Sequence, residues 1–101
     1  MQTVVYGMLH DEKRRNLEMQ ETYKREILSL PKGTIIIKNV SGNKYYYLKY
    51  RQNEKIKTDY LGKDIKAVRS VQREIEKRKH LQDVLKRLRA EYKQICKIVK
   101  D

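Results

Sequence analysis

Residues Thr34–Leu61 read TIIIKNVSGNKYYYLKYRQNEKIKTDYL. Three segments, TIIIKNV (Thr34–Val40), KYYYLKY (Lys44–Tyr50) and KIKTDYL (Lys55–Leu61), are rich in β-branched and aromatic residues and alternate with a period of two. Short polar connections separate them, Ser41-Gly42-Asn43 and then Arg51 to Glu54, so the pattern predicts a three-stranded antiparallel meander. Successive side chains of a strand point to opposite faces. One face is expected to gather Ile35, Ile37, Tyr46, Leu48, Tyr50, Ile56, Thr58 and Tyr60 as a core face. The other is expected to gather Ile36, Lys38, Tyr45, Tyr47, Lys49, Arg51, Lys55, Lys57 and Asp59. A shift of one residue in any strand would exchange its two sets.

The segments on either side predict helices. Residues 10–29 contain no Gly or Pro and are rich in Glu, Lys, Arg, Met and Leu, with Leu17, Tyr23, Ile27, Leu28 and Leu30 as a thin apolar stripe. Leu30-Pro31-Lys32-Gly33 ends this helix, because Pro31 disfavours helical geometry at the residue before it and Gly33 permits a tight turn. After Gly62, residues 64–100 again lack Gly and Pro, and Asp64 is placed to cap a second, long helix. Its stripe of Ile65, Val68, Val71 and Ile75 is followed by a heptad-like seam of Leu81, Leu85, Leu88, Tyr92, Ile95 and Val99. The two are out of phase across Glu76–His80, which predicts either one helix with a phase slip or two helices meeting at a bend. As one helix this segment would span about 55 Å. Three short strands cannot cover that length, so the distal seam must pack on the first helix, on a second copy as an oligomerisation seam, or on a partner. The whole is expected to be an α+β fold in one domain of 101 residues, short enough for a thin burial margin.

Charge narrows the choice of partner. The net charge is +12, which favours a polyanion: nucleic acid, an anionic membrane surface or an acidic protein. Residues 1–30 are neutral, whereas residues 31–63 and 64–101 carry +6 each, which points to the sheet and the second helix. No stretch approaches the roughly 20 apolar residues of a membrane span, and the apolar run at the N-terminus is too short for a signal peptide. The single cysteine, Cys96, excludes an intramolecular disulfide. A cytoplasmic protein is expected. There is no metal-spaced Cys/His set, no phosphate-binding glycine loop and no nucleophile elbow, so neither catalytic residues, nor a metal site, nor a cofactor is expected.

The candidate binding residues are Lys38, Tyr45, Tyr47, Lys49, Arg51, Lys55 and Lys57 on the second face of the sheet. Lysine and arginine neutralise phosphates, and tyrosine stacks on an unpaired base or donates its hydroxyl to a phosphate. Lys77, Arg78 and Lys79 can extend a phosphate track along the second helix, where many of the other cations have a carboxylate three or four residues away and read as a solvated face.

The run Leu-Pro-Lys-Gly (Leu30–Gly33), a strand, Gly42-Asn43-Lys44-Tyr45-Tyr46-Tyr47-Leu48 and Tyr60-Leu61-Gly62-Lys63, followed by a charged helix, resembles a widespread set of small bacterial, archaeal and phage proteins. The order of three strands and then a helix also resembles the arm-type, AP2-like DNA-binding domain of tyrosine integrases. That likeness implies a sheet entering the major groove, with Lys38, Tyr47, Lys49, Arg51 and Lys57 facing it. The expected function is that of a non-enzymatic nucleic-acid-binding protein of a phage or mobile element, with DNA favoured over RNA. The alternatives are an anti-CRISPR-like inhibitor that binds a host defence nucleoprotein, and a coiled-coil homodimer built on Leu81 to Val99.

Overall fold

The computed structural model describes residues 3–100. Its elements are α1 (Val4–Ser29), β1 (Thr34–Val40), β2 (Asn43–Gln52), β3 (Lys55–Gly62) and α2 (Ile65–Ile98). The strands form one antiparallel sheet in the order β1-β2-β3. This is the expected α+β architecture, and α2 is one continuous helix through Glu76–His80. The chain gathers into two compact units, Leu30–Arg78 with the sheet and the first part of α2, and residues 3–29 with 79–100 as a helical pair.

Both hairpins of the sheet unit close with two residues. Val40 pairs with Asn43 around Ser41 and Gly42, and Gln52 pairs with Lys55 around Asn53 and Glu54. The four central residues have φ of 53°, 82°, 51° and 65°. Left-handed geometry at both positions gives a turn whose twist matches that of the flanking strands. A two-residue turn pairs even with odd positions, so even residues of β2 share a face with odd residues of β1 and β3. For β1 this is the expected arrangement, with Ile35 opposite Leu48 and Ile37 opposite Tyr46.

For β3 it reverses the expectation. Leu48 lies opposite Asp59 and Tyr50 opposite Lys57, while Tyr47, Lys49 and Arg51 lie opposite Tyr60, Thr58 and Ile56. Lys55, Lys57 and Asp59 therefore belong to the face of Leu48, and Ile56, Thr58 and Tyr60 to the face of Tyr47. The even length of the turn dictates this sorting: β2 continues through Gln52, which shortens the expected four-residue connection to two, and either length pairs even positions of β2 with odd positions of β3. Near the end of β3 a bulge shifts the register once more, and Tyr46 pairs with Gly62.

Within this unit Leu48, Val68 and Ile75 are the buried apolar residues, Ile75 at 2% exposure. Asp64 caps α2 as expected: its Oδ1 accepts the Lys66 N–H at 2.9 Å and its carbonyl accepts that of Val68 at 3.1 Å. Gly33, with φ of 123°, runs so close to β2 that a Cβ on it would lie 2.3 Å from the Lys49 carbonyl oxygen. Only glycine fits there.

The helical pair is held by an unexpected seam. α1 begins six residues earlier than expected, because Thr3 caps it by accepting the Tyr6 N–H at its Oγ1, 3.2 Å away. Of the expected stripe of α1 only Ile27 is buried; Leu17 and Leu28 are exposed, and the inward positions are Asn16 and Gln20. Asn16 Nδ2 donates to the Leu88 carbonyl at 3.0 Å, and Gln20 Nε2 donates to Asn16 Oδ1 at 2.7 Å. Lys13 Nζ lies 5.9 Å from the Tyr92 ring centre. As α1 descends from residue 16 to 13, α2 rises from 88 to 92, so the two run antiparallel. Leu81, Leu85, Leu88 and Val99 are buried in this single chain, with Tyr92 and Ile95 half-buried. Of the three coverings expected for this seam, the first helix is the one seen here, over Leu88 by way of Asn16.

Two stability measurements check these contacts. Asn16→Ala strands the buried Gln20 amide and is expected to lower unfolding free energy in urea by about 1–3 kcal/mol, whereas Asn16→Leu with Gln20→Leu should restore it. Glu54→Gly relieves a left-handed non-glycine residue and should raise stability by about 1 kcal/mol; a loss would show that the turn is held by the glutamate side chain.

Candidate nucleic-acid interface

Along β2 the open face of the sheet carries Tyr45, Tyr47, Lys49 and Arg51, about 20 Å from first to last. β1 flanks them with Lys38, Ile36 and Thr34, and β3 with Tyr60, Thr58 and Ile56. The face has an aromatic end and a basic end. At the first, the Tyr60 ring centre is 5.3 Å from that of Tyr47 and 6.4 Å from that of Tyr45, at tilts of 51° and 43°. Such offset contacts are favourable for π-systems. Lys38 Nζ sits 4.7 Å from the Tyr47 ring centre, and Lys63 Nζ 4.8 Å from that of Tyr45. At the other end Lys49 and Arg51 are exposed beside a shallow groove of about 400 Å³, lined also by Gly33, Thr34, Ile36, Tyr50 and Ile56.

Lys38, Tyr45, Tyr47, Lys49 and Arg51 are brought together as expected. Lys55 and Lys57 are not: they stand on the opposite face, beside Asp59. Arg78 is half-buried and donates from Nη1 to the Leu30 carbonyl at 2.6 Å, closing its own unit rather than offering a free cation. Lys77 and Lys79 are exposed on α2. Tyr60, Ile56, Thr58 and Lys63 join the face without having been expected there. The even number of residues in the connection between β2 and β3 is the signal that would have found the first three.

The register also sorts the acids. Asp59 faces away from Tyr47, so the strands contribute no carboxylate to the tyrosine face. On its own face Asp59 bonds to Tyr50. That hydrogen bond, then burial and the carboxylate charge, hold the Tyr50 hydroxyl above the usual tyrosine range. Among the described residues no group of three His, Cys, Asp or Glu is placed to hold a metal ion, and no helix is long and apolar enough to cross a membrane.

Residues 9–70 match the family described as a domain of unknown function, DUF6788, and the chain belongs to it. No curated protein and no solved structure matches the chain.

The Tyr50–Asp59 bond gives a direct check on the register. Since the folded pKa lies above the unfolded value, the bond's contribution to stability is complete below pH about 10 and is lost as pH rises through the higher folded value. Asp59→Asn should move the Tyr50 titration, followed by NMR of the ring carbon bearing the hydroxyl, down toward that of an ordinary tyrosine. An unmoved curve would place Asp59 elsewhere.

Proposed function

We propose that this member of the DUF6788 family is a DNA-binding protein that takes the sugar–phosphate backbone on the open face of β1, β2 and β3. The observation that carries this reading is the sorting of charge by register. Lys38, Lys49, Arg51 and Lys63 lie on the face of Tyr45, Tyr47 and Tyr60 with no strand carboxylate among them. Cations neutralise phosphates and release counterions, while exposed aromatic rings offer contact to sugars and bases. The opposite face mixes Asp59 among its lysines and buries Leu48, so it suits a polyanion less well. The overall charge of +12 adds the long-range attraction that brings DNA to this surface.

The two faces give a paired experiment. Lys49→Ala with Arg51→Ala is expected to weaken DNA binding and to reduce the slope of log K against log salt by about 1.4–1.8, the share of two phosphate contacts. Lys55→Ala with Lys57→Ala removes the same charge from the other face and should leave the slope nearly unchanged. Equal effects of the two pairs, in fluorescence anisotropy across a salt titration, would mean that the charge acts diffusely and not through this face.

A further inference from the structure

The three tyrosines of the open face are not equivalent. Tyr45 and Tyr47 are half-buried, and each has a lysine ammonium within 5 Å of its ring centre. Tyr60 is 57% exposed, and it rests against the other two rings. A ring fixed by its neighbours and open to solvent is a stacking platform: it loses little freedom when a flat ligand lands on it. The ligand that fits such a platform beside Lys49 and Arg51 is a base whose own phosphates reach those cations. A base within a duplex has both faces covered by its neighbours, so only an unpaired base can occupy Tyr60.

The surroundings also select among bases. Next to Tyr60 along β3 come the methyl group of Thr58 and then Ile56, itself 59% exposed, and across β2 lies Ile36. An apolar margin beside a stacking ring suits the C5 methyl of thymine, a group that uracil lacks. We infer that the open face takes single-stranded DNA, with an unpaired thymine stacked on Tyr60 and its flanking phosphates on Lys49 and Arg51. This rests on the reading that the face binds DNA and specifies which form of DNA it takes.

The test measures binding of the whole chain to four labelled oligonucleotides of about 12 nucleotides, within the range that one small single-strand-binding fold covers: oligo-dT, oligo-dU, oligo-rU and an oligo-dA·dT duplex. Oligo-dT should bind tightest, with oligo-dU a few-fold weaker for want of the methyl group. Tyr60→Ala should weaken oligo-dT binding roughly 5- to 150-fold, the effect of losing one base–aromatic stack, while duplex binding stays within about twofold. Tyr60→Phe keeps the ring and should bind like the parent; circular dichroism checks that both variants fold. Duplex preferred over oligo-dT, or Tyr60→Ala without effect while Lys49→Ala with Arg51→Ala still weakens binding, overturns this inference and leaves DNA binding standing. Equal binding of oligo-dT and oligo-dU overturns the thymine assignment, and oligo-rU bound tightest overturns the choice of DNA. Failure of the parent protein to bind any of the four overturns both readings.

Discussion

The hairpin at Asn53 and Glu54 decides what the sheet can touch. Side chains in a strand alternate, so the parity of a turn determines which residues of the third strand stand beside Tyr47 and which beside Leu48. With two residues in the turn, Tyr60 meets Tyr47 and Asp59 meets Leu48. One residue more would place Asp59 among Lys49 and Arg51 and turn Tyr60 to the other side. The turn is made at some cost, since Glu54 adopts a left-handed conformation that glycine takes more readily. The ladder of β2 with β3 outweighs that local preference.

The helical unit depends on a different kind of specificity. Asn16 and Gln20 sit where a helix of this sort usually presents leucine, and each amide needs a particular partner in a particular place. An apolar seam tolerates sliding by a turn, whereas the Asn16 amide reaches the Leu88 carbonyl at one offset only. A buried polar residue of this kind trades stability for a fixed alignment of the two helices. Beside it Leu81, Leu85 and Leu88 are covered within one chain.

Periodicity alone was enough for the element order, the Asp64 cap, the break at Leu30–Gly33 and the β1–β2 face, because those depend on local chemistry and on alternation; the connection expected as Ser41-Gly42-Asn43 closes on Ser41 and Gly42, with Asn43 already in β2. It was not enough for β3. The alternation of β3 by itself does not say which of its two faces joins that of Tyr47; the even length of the turn does, whether Arg51 and Gln52 belong to strand or to loop. It failed again on α1, where counting apolar residues favoured Leu17 and Leu28 and passed over two amides that are inward because they bond to each other and to a carbonyl. Of the candidate interface, the β1 and β2 residues were readable from alternation. The β3 contribution was implied by the even length of the connection, whereas Lys63, which lies beyond the last strand, needed the three-dimensional structure.

Lys38 and Lys63, resting over the rings of Tyr47 and Tyr45, also bear on how the chain behaves at high concentration. A sheet with two open edges and a tyrosine cluster on one side is a surface on which copies of the same molecule can pile up. An ammonium group over each of two rings hides part of the aromatic surface and gives identical copies like charges to bring together. The sheet is thereby kept from its own kind while it stays open to an anion.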